Sequence, residues 1–434
     1  MKKVLIISYY WPPAGGISPL RCLKIAKYLR EFGWEPVVYS PTNASYPIID
    51  NSYFKDIPPN MEELKGNIVE PFTLFKLLSG KKKDTQLNNI FHVRDNNENF
   101  VDKLGKWIRS NFFIPDARAL WVKPSVKRLY NFIKNNQVDA IFTDGPPHTN
   151  TLIGHKLKLK TGLPWLSDYQ DPWTQVDYYE KLSLTKWADK KHRKLEKECL
   201  TNADALTIAS DSWSADLGEL ANKKVDVLYY GYDEDDFKDL QYNLSRKFSI
   251  FHGGLLGYDR SPDLLFDVLV ELVEEKKILL SEIELNFAGQ VDFTIKEKLS
   301  TSILHDVVNY LGTLQRTDVL KHLINSQINL LPINKAKNSA GRIPGKLFEL
   351  LRAKRPILCL INQPCDSGMI VEKTFSGKAI NYLDKASMKE FLAERYKLYK
   401  LGKNFLSNQK NIDQFSNFEQ TKKVAKILDK ITSN

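Results

Sequence analysis

GRIPGKLFELLRAKRPILCL, Gly341 to Leu360, reads as a glycine-punctuated loop, a short helix carrying Lys346 and Glu349, and a buried strand from Pro356 to Leu360. Pro344 and Gly345 stand where a helix start tolerates them. Backbone N–H groups at such a start lack intrahelical partners and carry partial positive charge, so they attract an anion. Lys346 adds a full positive charge in the first turn, where a helix by itself prefers acids. Glu349, three residues on, shares its face. A cation for phosphate beside a carboxylate for a hydroxyl suits a nucleotide; the plainer alternative is a surface Lys–Glu pair beside an ordinary loop.

Outward from this stretch, the second half of the chain alternates strands and helices. Strand Phe248–His252 leads into the turn GGLLGYDR, Gly253 to Arg260, and helix Asp263–Glu274 follows. Strands Ile283–Ala288, Val307–Leu311 and Ile328–Pro332 come next, with a helix Thr317–Asn325 before the last of them. Amphipathic helices Met388–Tyr399 and Phe418–Ile431 close the chain.

The first half opens the same way. Strand Lys2–Ser8 is broken by YYWPP at Tyr9 to Pro13, then Gly15 and Gly16 precede a helix of about Ser18 to Phe32, stopped by Gly33 before strand Glu35–Ser40. Glycines at a first βα turn let an anionic group approach the backbone, yet G-x-G-x-x-G is absent, which disfavours a dinucleotide enzyme. Residues 42–99 are polar, carry a basic tract at Lys81 to Lys83, and are expected to form loops and short helices. Strands Val138–Thr143 and Pro164–Ser167 end in His148 and in the Asp168/Asp171 pair, so these polar groups are expected at one cleft. A polar stretch, Lys238 to Lys247, is the expected domain boundary, and DEDD at Asp233 to Asp236 reads as a turn or helix cap before a metal site.

A length of 434 residues accommodates two domains, and 42% hydrophobic with 26% charged residues is globular. No run reaches the roughly 18 apolar residues of a membrane helix, and MKKVLIISYYWPP reads as a first strand instead of a signal peptide. Cys22, Cys199, Cys359 and Cys365 lack metal-ligand spacing, which points to a reduced, cytoplasmic setting without disulfides. Of the net charge of +11, much falls between Val101 and Ala140, where eight basic residues face three acidic ones and Trp107, Phe112, Phe113 and Trp121 interleave. That pattern fits a solvated helix face with buried aromatics, or an anionic membrane surface. No nucleic-acid motif accompanies it, so no nucleic acid is expected.

With these motifs in order, the chain resembles glycosyltransferase family 4, and within it a subgroup of bacterial cell-surface polysaccharide transferases. The resemblance runs over nearly the whole chain: YYWPPAGG with Arg21, PPHT (146–149), DYQDPWT (168–174), YGYDEDDF (230–237), HGGL (252–255) with Arg260, NFAG (286–289), YLGT (310–313) and IPGKLFELL (343–351). It implies an α/β protein of GT-B fold, two Rossmann-like doubly wound domains facing each other across a cleft. The expected divisions are 1–240 on the acceptor side, 241–405 binding nucleotide-sugar, and 406–434 as a C-terminal helix packing back on the first domain.

The resemblance also implies roles. Arg260 and Lys346 hold the donor diphosphate, Glu349 the ribose hydroxyls, and the stretch Gly312 to Gln315, with Leu314, lines the base. Gly253 lies in the same donor loop, and Gly15 and Gly16 approach the donor from the other domain. Positioned cations stabilise the leaving diphosphate without a metal or other cofactor. His148, Asp168 or Asp171 supplies the contact to the acceptor hydroxyl. Each has a plainer reading: His148 caps the following helix, Asp171 starts a turn, and Gly15–Gly16 is a tight turn. Two positions depart from the family pattern. Gly341 stands where a first glutamate normally touches the donor sugar, and AKRP (353–356) replaces AGKP. The expected function is transfer of a sugar, with retention of configuration implied by the resemblance, from a UDP- or GDP-sugar to a glycan or lipid-linked glycan, at or near the inner membrane face. An epimerase or hydrolase of the same fold, or an inactive basic binding protein, is the alternative.

Overall fold

The computed structural model describes residues 1–70, 100–176, 179–336, 339–403 and 408–433. The chain forms two compact units and passes from the first to the second between Tyr230 and Gly231. It returns to the first unit at Asn417.

The first unit holds seven parallel strands: β1 (Lys2–Ile7), β2 (Trp34–Pro41), β3 (Glu62–Gly66), β4 (Ala140–Gly145), β5 (Trp165–Tyr169), β6 (Ala205–Ile208) and β7 (Asp226–Val227). Their order is β3-β2-β1-β4-β5-β6-β7. Its helices are α1 (Leu20–Tyr28), α2 (Phe100–Phe112), α3 (Val122–Asn135), α4 (His148–Thr161), α5 (Lys186–Asn202) and α6 (Asp211–Ala221). Alternation along β1 explains why both faces are covered. Leu5 and Ile7 turn to one side with Val37, Tyr39 and Trp121, while Val4 and Ile6 turn to the other with Leu23 and Ile25 of α1. The second face also takes Val424, Ala425 and Leu428, which the C-terminal helix (Asn417–Thr432) contributes to this unit.

The second unit repeats the plan with β8 (Phe248–Gly253), β9 (Ile283–Ala288), β10 (Val308–Gly312), β11 (Ile328–Pro332), β12 (Ile357–Ile361) and β13 (Gly377–Asn381), ordered β10-β9-β8-β11-β12-β13 and all parallel. Its helices are α7 (Asp263–Glu274), α8 (Phe293–Ser300), α9 (Arg316–Asn325), α10 (Lys346–Arg352), α11 (Asp366–Lys373) and α12 (Lys385–Lys400). Each sheet therefore reverses direction beside its first strand. In open parallel sheets the loops on either side of such a switch point diverge, and ligands bind there; here these are the points between β1 and β4 and between β8 and β11.

The structure alters three expectations. Within 42–99 it adds an edge strand, β3, to the expected loops and short helices, one of which is the 3-10 helix Asn51–Asp56, while residues 71–99, including the tract Lys81 to Lys83, lie outside the described residues. The aromatics of the basic segment divide: Trp121 is buried and stacks on Tyr39, whereas Trp107 and Phe112 are exposed. The first turn of α10 does not present free N–H groups at Leu347 and Phe348, because these donate to the carbonyls of Pro344 and Gly345.

Candidate functional site

In the second unit, the donor-site candidates gather at the switch point between β8 and β11. His252 is the one imidazole on the core strand β8, and its Nδ1 lies 3.0 Å from the carbonyl of Leu330. A carbonyl only accepts, so Nδ1 carries the proton and Nε2 offers a lone pair. Burial, with the Lys346 charge beside it, holds His252 neutral by pushing its pKa well below the usual value. Lys346 Nζ lies 3.5 Å from that Nε2 and donates to the carbonyl of Gly253 at 3.0 Å. Burial, then the neighbouring Arg260 charge, lowers the Lys346 pKa to about 7, against a smaller opposing pull from Glu349. A lysine held this way is short of one anion.

The backbone beneath Lys346 is built from glycine. Gly254 (φ +122°) places its Cα so that a Cβ would meet Lys346 Nζ at 3.2 Å. A Cβ on Gly289, at the end of β9, would strike the Gly254 carbonyl oxygen at 2.5 Å, and the Gly289 N–H donates to the carbonyl of Gly312 at the end of β10. Gly312 itself is at φ +65°. Of these glycines, Gly289 is held by backbone packing against Gly254, whereas Gly254 and Gly312 are set by their positive φ, a region that side chains rarely adopt. Arg260 forms a paired contact with Asp259 (3.1 and 3.0 Å). Leu314 is half-buried two residues before α9.

Glu349 is buried and ion-paired with Arg316, the first residue of α9. Arg316 also holds Asp236 at 3.0 Å, so one guanidinium spans two nearly buried carboxylates. Asp233 caps the 3-10 turn Glu234–Asp236 by accepting from the N–H of Asp235, consistent with the cap reading of DEDD. In Arg316→Met, Glu349 and Asp236 lose their shared cation. We expect the second unit to lose about 3 kcal/mol in denaturant unfolding, and the double variant Arg316→Met with Asp236→Asn to recover part of it.

In the first unit, Gly15 follows the break after β1. Its N–H donates to Ile48, and a Cβ there would lie 2.7 Å from Ile48 Cγ2, so packing already demands glycine. Gly16 is at φ +78°. Asp168, at the end of β5, is fully buried and receives Arg21 Nε at 2.5 Å, Arg21 Nη2 at 2.9 Å and the Thr207 hydroxyl at 2.6 Å. Asp144, at the end of β4, accepts from Gln170 Nε2 at 2.7 Å. Burial, and then the nearby Asp168 charge, raise its pKa above the usual carboxylate range.

His148 is the first residue of α4; it makes no capping bond, which removes the helix-cap reading. Its ring stacks on Trp173 at 4.8 Å, and its Nδ1 is buried with no hydrogen-bond partner. Burial lowers its pKa to about 4, so the ring is neutral at physiological pH. Asp171 is half-buried in the turn after β5, two residues from Trp173. His148, Asp168 and Asp171 therefore do share one strand-end region, with Arg21 neutralising Asp168.

Reading the sequence passed over His252, Arg316, Asp236 and Asp144 as site residues. His252 had a signal, a polar side chain ending an otherwise apolar strand. Arg316 and Asp236 are 80 positions apart in sequence, and only folding pairs them.

The two doubly wound sheets define a class, and comparison with solved structures agrees with it. No protein-family model matches the sequence, and no curated protein matches it. TarM of S. aureus, solved with Fondaparinux, alpha-GlcNAc-glycerol and UDP, superposes with a TM-score of 0.61 at 10% identity, covering 100% of both chains. The lipopolysaccharide outer core galactosyltransferase WaaB gives 0.56 at 13% identity over 99% of each chain. A putative UDP-N-acetylglucosamine 2-epimerase from Listeria monocytogenes gives 0.56 at 12% identity, over 98% of this chain and 95% of that one. The chain has the fold of the GT-B glycosyltransferases.

Proposed function

We propose that this chain is a glycosyltransferase that moves a sugar from a UDP- or GDP-sugar to a glycan or lipid-linked glycan acceptor in the cytoplasm, during synthesis of a cell-surface polysaccharide. The observation that carries the reading is the Lys346 ammonium, set between a neutral His252 and Arg260 at the switch point of a GT-B sheet. Such a group gains most when a diphosphate arrives, and more as the sugar–phosphate bond breaks and charge builds on the leaving oxygen. In this reading Lys346 and Arg260 take the diphosphate, and Glu349, held by Arg316, takes the ribose hydroxyls. Gly253 and Gly312 admit the ligand to the backbone, and Leu314 lies against the base. The family resemblance adds Gly15 and Gly16 to the donor-binding residues. His148 and Asp171 orient the acceptor hydroxyl and take its proton, while Asp168 holds the strand ends through Arg21. The chain supplies this stabilisation from its own cations, without a metal. Retention of configuration follows from the family resemblance.

Calorimetric titration with UDP, GDP, ADP and dTDP, without added metal, tests the reading. Selective micromolar binding of one nucleotide supports it; no binding to any of the four sinks it. An epimerase or hydrolase of the same fold is the second reading, favoured by the match to the Listeria protein. It would release isomerised donor or free sugar without an acceptor.

A pH dependence follows from Lys346. The free protein loses this charge as pH rises through about 7, and a bound diphosphate raises the pKa again, so binding takes up a proton. Affinity is therefore greatest below pH 7 and falls up to about tenfold per pH unit above it. Titrations at pH 6, 7 and 8 read this directly, and Lys346→Arg, charged throughout, flattens the profile.

A further inference from the structure

Two helices of the first unit leave apolar side chains in water beside a row of lysines. On α2, Leu104, Trp107, Ile108 and Phe112 recur at helical spacing along one face, and Trp107 is 39% exposed and Phe112 62% exposed. Trp187, in the first turn of α5, is 57% exposed. The next positions on its face are Lys190, Lys191 and Lys194, all exposed, with the Lys191 ammonium 4.8 Å from the Trp187 ring centre.

The two helices that carry these side chains are tied to each other. Asn111 of α2 donates to the carbonyl of Ser183 and accepts from the N–H of Thr185, and the Thr185 hydroxyl caps α5. The carboxylates of α5 offset only part of its lysine charge. Asp189 is paired with Arg193, Glu196 is buried against Thr174, and Glu198 reaches Lys194 at 3.8 Å.

We propose that the α2–α5 face is a docking surface for an anionic lipid bilayer. Rings at the end of the cluster enter the headgroup region while lysines meet lipid phosphates, the arrangement that holds a peripheral protein in the interface plane. Exposed aromatics and lysines in one patch match a surface that is apolar just beneath and negative on top. Among the described residues no helix is long and apolar enough to span a bilayer, so attachment at the surface is the mode this face serves. The proposal deepens the reading of a lipid-linked acceptor, but it rests on these side chains and not on the donor site.

Sedimentation of the full chain with vesicles of phosphatidylglycerol and phosphatidylcholine, against phosphatidylcholine alone, is the test. Binding is expected to the anionic vesicles at low salt, to fall in 0.5 M salt, and to shift tryptophan fluorescence to the blue. Lys190→Glu with Lys191→Glu and Lys194→Glu should weaken it roughly fivefold per position. Trp107→Ala with Trp187→Ala should weaken it about tenfold or more even at low salt. Both variants change exposed side chains, so each should unfold at the wild-type denaturant concentration and bind nucleotide as the wild type does. No preference for anionic vesicles overturns the proposal, and so does full binding by the tryptophan variant. Wild-type dimerisation abolished by Trp187→Ala would make the face a self-interface instead. Failure of wild type to bind any nucleotide would sink the transferase reading and leave the vesicle result standing.

Discussion

Lys346→Ala lowers affinity for the preferred nucleoside diphosphate by roughly 100-fold or more, the cost of removing one partner of a largely desolvated charge pair. The ammonium sits on the Gly253 carbonyl with the His252 Nε2 lone pair on its other side, and Arg260 supplies the neighbouring positive charge. Among the described residues no carboxylate hydrogen-bonds to it, and Glu349 is paired with Arg316. Removing the charge also relieves the repulsion from Arg260, so the ligand-free variant should unfold at a temperature no lower than wild type. A sequence thus keeps a strained charge for what it binds. Calorimetry and thermal unfolding on the same sample separate the two effects: loss of binding together with loss of stability would mean that Lys346 is structural. The linkage has a definite sign. The folded pKa of Lys346 lies below the roughly 10.4 of an unfolded lysine. The unfolded chain therefore binds more protons between about pH 7 and 10, and this group's contribution to stability rises with pH across that window.

Arg21→Met is expected to destabilise the first unit by about 3–5 kcal/mol, because it leaves an uncompensated charge in the interior. Arg21 and Asp168 are both almost wholly buried, and Asp144 stands close enough to raise the demand for one positive charge between two carboxyls. Arg21 also donates to the carbonyl of Leu228 at 2.6 Å and lies over the Tyr230 ring at 5.1 Å, so one side chain ties the ends of several segments. Denaturant unfolding followed by tryptophan fluorescence reads the loss. Pairing Arg21→Met with Asp168→Asn should recover a good part of it, since the second change removes the orphaned charge. If Arg21→Met unfolds within about 1 kcal/mol of wild type, the buried pair is not what holds these strand ends.

Much of this protein is written locally in its sequence. Continuous apolar runs such as Val4–Ile7 and Leu358–Leu360, and helix ends punctuated by Gly33 and Gly162, set the strands, helices and their order, because hydrophobic pattern and turn chemistry act over a few residues. The two strand–helix series were legible for the same reason. Short or polar elements were not: β3, in EELKG, gains its strand state from pairing with β2, a partner its own residues do not announce. What each polar group does was settled only by tertiary structure. Glu349 and Asp236 converge on Arg316, Asp168 is taken by Arg21, and Trp121 goes inward while Trp107 and Trp187 stay in water. Charge, burial and hydrogen bonding depend on neighbours brought from far along the chain, and no local pattern carries that information.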